Sequence, residues 1–133
     1  MNYYLDTNII IYILKGSYTN IIDHFNKVPR ASIMIPDLVL AEIEFGARKS
    51  KDYNKTIKLY NSFTSKFEIA HFDRKAILEY GKIRSELEKK GHPIGPNDLI
   101  IASIVKANNG TLVTHNIKDF SNISGLLIED WCE

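Results

Sequence analysis

Apolar runs of only a few residues, each meeting helical periodicity soon after, constrain this chain more than any other feature. The first is Tyr3-Tyr4-Leu5, which runs into Asp6-Thr7-Asn8. The helical set Ile9, Ile10, Ile13 and Leu14 follows and stops at Gly16, with Thr7 or Asn8 as the expected cap. Ser32-Ile33-Met34-Ile35 lies between Pro29 and Pro36 and leads into a helix from Asp37 to Arg48. Glu68-Ile69-Ala70 precedes a long helix capped by Asp73 and ended at Gly91. Thr111-Leu112-Val113 follows an Asn109-Gly110 turn, and Gly125 to Ile128 supplies a last edge strand. Ser17 to Lys27 and Tyr53 to Phe67 read as further helices. Asp98 to Asn108 is apolar nearly all round, so it should be buried and central. Short strands alternating with helices predict a three-layer α/β/α fold around a mostly parallel sheet of four to five strands.

With 133 residues, 44% hydrophobic and 25% charged, the chain is expected to form one globular domain, 1–133, with a real core. No apolar run approaches the ~20 residues that span a bilayer, and no signal peptide is expected at the N-terminus. The one cysteine, Cys132, precludes an intramolecular disulfide and suits a reducing cytoplasm, the expected location. It is read as a terminal residue without chemistry. A net charge of +1 does not announce a polyanion partner, which a local basic patch or a metal would have to hold.

Four of the 16 acids fall where a parallel sheet presents ligands, beyond the carboxyl ends of its strands. Asp6 ends the first strand, and Glu42 lies early in the helix after the second. Asp98 occupies the first turn of the apolar helix, and Asp119 follows Thr114-His115-Asn116. Each has an ordinary explanation alone: helix-dipole complement, turn cap or solvated face. Asp37 and Asp73 are assigned to such positions, with no role in a site. Together, carboxylates on one edge repel one another unless a cation or protons offset the charge. A hard divalent ion, Mg²⁺ or Mn²⁺, does this with oxygen ligands and can activate water beside a phosphodiester.

Leu5-Asp6-Thr7-Asn8, Ala41-Glu42-Ile43-Glu44-Phe45-Gly46, Pro93-Ile94-Gly95-Pro96-Asn97-Asp98, Val113-Thr114-His115-Asn116 and Asp119-Phe120 come in an order and spacing that resemble the PIN domain. The likeness runs through the whole chain and is strongest to VapC toxins, the ribonuclease halves of VapBC toxin–antitoxin pairs. It implies that Asp6, Glu42 and Asp98 form a Mg²⁺ or Mn²⁺ centre and that Asp119 is the fourth acid. It also implies that Thr7, Asn8, Thr114 and Asn116 support the acids by hydrogen bonds. Glu44 points about 200° from Glu42 on a helix, so only one of them can face a site; the motif selects Glu42. The resemblance further implies an endoribonuclease acting on RNA, with transfer-RNA anticodon stem-loops as substrate. A homodimer and a cognate VapB-type antitoxin that presents an arginine to the acids also follow from it.

Three questions stay open on the sequence. Asn97 either supports the acids or caps its helix, and His115 is a local polar residue or a substrate contact. The basic residues Arg48, Lys49, Lys51, Lys55 and Lys58, and Lys82, Arg84, Lys89 and Lys90, either grip phosphates or coat helix faces. Two rival functions fit the sequence less well. An aspartyl phosphatase wants a second acid two residues after the first, where this chain has Asn8. A non-catalytic RNA- or partner-binding scaffold would fit an incomplete acid set, whereas all four are present.

Overall fold

The computed structural model describes residues 1–133. Strands β1 (Tyr3–Leu5), β2 (Ile33–Pro36), β3 (Glu68–Ala70), β4 (Thr111–Val113) and β5 (Leu127–Glu129) form one sheet in the order β3-β2-β1-β4-β5. Every pairing is parallel. The chain builds outward from β1 through β2 to β3, then returns to lay β4 on the other side of β1. β1 and β4 thus flank the point where the winding reverses, the position at which open parallel sheets leave a crevice. Their register sets Leu5 opposite Val113, so Asp6 and Thr114 emerge side by side.

Helices α1 (Thr7–Lys15), α2 (Thr19–Lys27), α3 (Asp37–Arg48), α4 (Tyr53–Thr64), α5 (Arg74–Lys90), α6 (Pro96–Ala107) and α7 (Ile117–Phe120) complete the fold. They flank the sheet in the three-layer α/β/α arrangement that the alternation of elements predicts. The α6 helix touches β2, β4 and α3 and packs along α5. Its Leu99, Ile101, Ala102, Ile104 and Val105 are buried, as its nearly continuous apolar surface requires. One contiguous core joins these residues to Leu5, Ile35, Leu112 and Val113 of the strands and to Trp131 near the C-terminus. No helix is long and apolar enough to cross a membrane.

Local chemistry explains most boundaries. Gly16 and Gly91 end α1 and α5 in the left-handed region, at φ 65° and 73°. Several expectations shift. The cap of α1 is Asp6, not Thr7 or Asn8: its Oδ1 accepts from the Ile9 amide, the geometry of a capping carboxylate. The last strand starts at Leu127, because Gly125 turns the chain at φ 77° before pairing begins. α4 stops at Thr64, and Phe67 reaches back to Phe63 and Phe25 from the following turn. Neither α7 nor the 3₁₀ turn at Arg30–Ser32 is foreseen, since elements of one turn carry too little periodicity to register.

Candidate active site

The crevice beyond β1 and β4 is built around Asp6. Its backbone N–H donates to the Val113 carbonyl at 3.2 Å, which extends the ladder by one residue and fixes the side chain. Thr114, fully buried, donates its hydroxyl to Asp6 Oδ2 at 2.5 Å, while the Ile9 amide donates to Oδ1 at 3.1 Å. Both carboxylate oxygens are therefore held. Burial pushes Asp6 up to about 6; the Thr114 and Ile9 donors oppose it, and the charges of Asp98 and Glu42 add to it.

The α3 helix brings Glu42 to the same edge. Thr7 donates to its Oε1 at 2.5 Å and Asn97 Nδ2 to its Oε2 at 3.4 Å, so α1 and α6 orient it from opposite sides. Glu44 turns away to Arg48 at 3.0 Å and the Tyr53 hydroxyl at 3.1 Å. Asp98, half-buried in the first turn of α6, is raised by burial first, then by Glu42 and Asp119. Asp119 lies exposed on α7 and accepts from Asn116 Nδ2 at 2.6 Å, while the Asn116 amide donates to Thr114 Oγ1 at 3.0 Å. A chain of hydrogen bonds thus runs from Asp6 through Thr114 and Asn116 to Asp119.

Of the supporting residues expected, Thr7, Thr114 and Asn116 hold acids and Asn8 does not. Asp6 itself occupies the capping position, so the Asn8 side chain, one residue into the helix, projects from its surface without a hydrogen bond. It lines a recess of about 170 Å³ with Asp6, Tyr12, His115 and Asn116. His115 is paired through Nδ1 with Asp130 at 2.9 Å and packs edgewise against Tyr12. Neither Asp130 nor Tyr12 is foreseen as a neighbour of the acids. A signal for Tyr12 exists, since it follows Asn8 by one helical turn and so shares its face.

The donor set suits a hard divalent cation. All four acids offer oxygen, and no Lys, Arg or His lies in an ion pair with any of them. No three of their oxygens come within 4.8 Å of one another; the one trio that does is His115, Asp130 and Cys132. Spread carboxylates match Mg²⁺, which keeps several waters and takes only one or two carboxylates directly. The trio is drawn together by Asp130, which accepts from His115 and from the Cys132 amide. Burial and then Asp130 push the Cys132 thiol up to about 12, far from a reactive thiolate.

The PIN domain family matches residues 3–126. The chain belongs to that family. It is 43% identical to the ribonuclease VapC2 of Rickettsia felis, over 98% of each chain. It is 34% identical to the tRNA(fMet)-specific endonuclease VapC of Salmonella typhimurium, over 99% of each. Among solved structures, VapBC2 of Rickettsia felis bound to a promoter DNA fragment superposes on this PIN domain with a TM-score of 0.90 at 40% identity, covering 97% of this chain and 98% of that one. VapBC-1 of nontypeable Haemophilus influenzae gives 0.91 at 35% identity over the whole of both chains.

Proposed function

We propose that this PIN domain is a Mg²⁺-dependent endoribonuclease toxin, with Mn²⁺ as an alternative ion, that hydrolyses phosphodiester bonds of transfer RNA in the anticodon stem-loop. The observation that carries the proposal is the set of four carboxylates at the sheet's switch point. They have no cationic side chain beside them, and the buried member is raised to about 6. Likeness to VapC ribonucleases, one of them a tRNA(fMet)-specific endonuclease, supports the substrate.

Asp6, Glu42 and Asp98 would hold the ion directly or through water, with Asp119 as the outer acid; the ion supplies charge neutralisation at phosphorus and an acidified water. The chain's own contribution is orientation. Thr7 and Asn97 fix the two oxygens of Glu42, Thr114 and the Ile9 amide fix those of Asp6, and Asn116 fixes Asp119. Asp119, exposed and held at one oxygen, would take a proton from the attacking water with the other. As the new P–O bond forms, the bond to the 3′-oxygen breaks and that oxygen gains a proton, leaving 5′-phosphate and 3′-hydroxyl ends.

Relatives solved as VapBC pairs support a VapB-type antitoxin as the partner that silences the chain, presenting an arginine to these acids, and we infer a homodimer. End-group analysis of RNA cut by the purified chain tests the chemistry. Products with 5′-phosphates are expected, and 2′,3′-cyclic phosphates would contradict a hydrolytic water.

A further inference from the structure

Beside the acids lies the recess of Asp6, Asn8, Tyr12, His115 and Asn116, about 170 Å³ in size. We propose that it is a nucleobase subsite, taking the base of a nucleotide adjacent to the scissile phosphate. The assignment rests on the nuclease reading above, since Asp6 belongs both to the recess and to the acid set. A base seated here must therefore be joined to a phosphate close to the acids.

The lining selects the ligand class. It holds one acid and neither lysine nor arginine, so it repels phosphate and suits an uncharged heterocycle. Two aromatic rings form its wall. His115 lies 6.4 Å from Tyr12 and 5.4 Å from Tyr18 between centroids, and Tyr12 lies 5.0 Å from Tyr18, so the three brace one another. Asp130 pairs with His115 Nδ1 at 2.9 Å, which holds the ring's orientation and leaves Nε2 without a hydrogen bond in the chain. Rings held in this way are the platform on which proteins stack splayed, single-stranded bases. Two amides supply a polar rim. Asn8 makes no hydrogen bond within the chain, so both its donor and its acceptor are available to a base edge. Asn116 spends its Nδ2 on Asp119 and keeps its Oδ1. A recess of about 170 Å³ has room for one ring system.

Two measurements on the full-length chain test the assignment. In the first, each of the four ribonucleoside 5′-monophosphates and ribose 5-phosphate is titrated while the Tyr12 and His115 ring signals are followed by NMR. At least one nucleotide should move both rings and ribose 5-phosphate neither. Tyr12→Leu, and separately the fold-safe His115→Gln at an exposed position, should weaken that nucleotide roughly tenfold, the size of one stacked base. In the second, an RNA pool with randomised sequence is cut by wild type and by His115→Gln. One flanking position should show a base preference in wild type that the variant loses, with KM raised more than kcat falls. Equal shifts with ribose 5-phosphate, unchanged affinity in both variants, or unchanged preference in His115→Gln, would overturn the subsite and leave the rings as packing alone. If wild type cuts no RNA yet binds nucleotides through these rings, the nuclease reading fails and the recess stands as a nucleobase-binding site without a scissile phosphate.

Discussion

Asp6 carries opposed demands at a single residue. As the cap of α1 it accepts from the Ile9 amide, and as a site acid it is buried among Asp98 and Glu42. Raising a carboxyl from its ordinary 3.8 to about 6 costs the folded chain about 3 kcal/mol at neutral pH when no cation is near. The folded state takes up the proton first. The stabilising effect of that proton is complete below about pH 4 and is lost as pH rises through 6. Wild-type protein in chelator should therefore melt at lower temperature at pH 7 than at pH 5. Asp6→Asn keeps an acceptor for Ile9 and removes the charge, so it should raise the pH 7 melting temperature by up to about 10 °C and flatten that dependence. Thermal unfolding from pH 4 to 7 checks both, and a variant melting below wild type at pH 7 contradicts the account. The Thr114 hydroxyl donates to Asp6 and accepts from the Asn116 amide. Thr114→Val preserves shape and should lower cleavage roughly 10- to 100-fold, as loss of a ligand-orienting partner does, with the fold retained by circular dichroism. Such pairings are hard to see in a sequence. Asp6 stands out because an acid ends an apolar run, but the Thr7–Glu42 and Asn97–Glu42 contacts join residues 35 and 55 positions apart. Only the packing of α1, α3 and α6 creates them.

Elements were legible to the extent that they carry periodicity or punctuation. Glu68–Ala70, Thr111–Val113 and Asp37–Arg48 have the bounds that the sequence predicts; the Asn109-Gly110 turn and Pro36 mark where the last two begin, and Glu68–Ala70 is the apolar run that ends before the Asp73 cap. α7 was illegible at four residues, although it presents Asp119. The choice of Asp6 over Thr7 or Asn8 as the cap of α1 was also hidden, since all three are good capping types and only the end of the strand decides among them. The turn between α6 and β4 shows how element joints hold the site edge. Asn109 adopts φ 53°, and Gly110 lies so close to Tyr4 that a Cβ there would meet its ring and the Asn2 carbonyl. Gly110→Ala must displace the Tyr4 ring or the turn. The expected cost is about 1–3 kcal/mol, or roughly 4–10 °C in melting temperature. An unchanged melting temperature would show that the β1–β4 joint yields more easily than its packing implies.

For the molecule as a whole, a net charge of +1 means that RNA cannot be drawn by overall charge, and part of the basic surface is engaged locally. Arg48 pairs with Glu44 and lies over Tyr53, Lys82 and Arg84 pair with Glu79 and Glu88, and Lys90 reaches Asn122 and Ser124. Lys51, Lys55 and Lys58 stand outside these pairs and line one open groove at the start of α4, which makes them candidates for phosphate contact. Replacing all three with glutamine should weaken RNA binding and flatten its salt dependence, because fewer counterions are released. A salt slope equal to that of wild type would place phosphate contacts elsewhere. The inferred homodimer predicts twice the 15.2 kDa chain mass by light scattering at micromolar concentration, and a monomer there would contradict it. We read the acids gathered where the sheet's winding reverses as a metal-dependent nuclease centre. The most direct test is cleavage of a total transfer-RNA pool by wild type and Asp98→Asn, each with Mg²⁺ and with chelator. Discrete cuts are predicted for wild type with Mg²⁺ alone, and the substitution should slow them roughly 10²-fold or more, the several kcal/mol that a catalytic ion supplies. Cuts that persist in chelator, or that Asp98→Asn makes as fast as wild type, would contradict it.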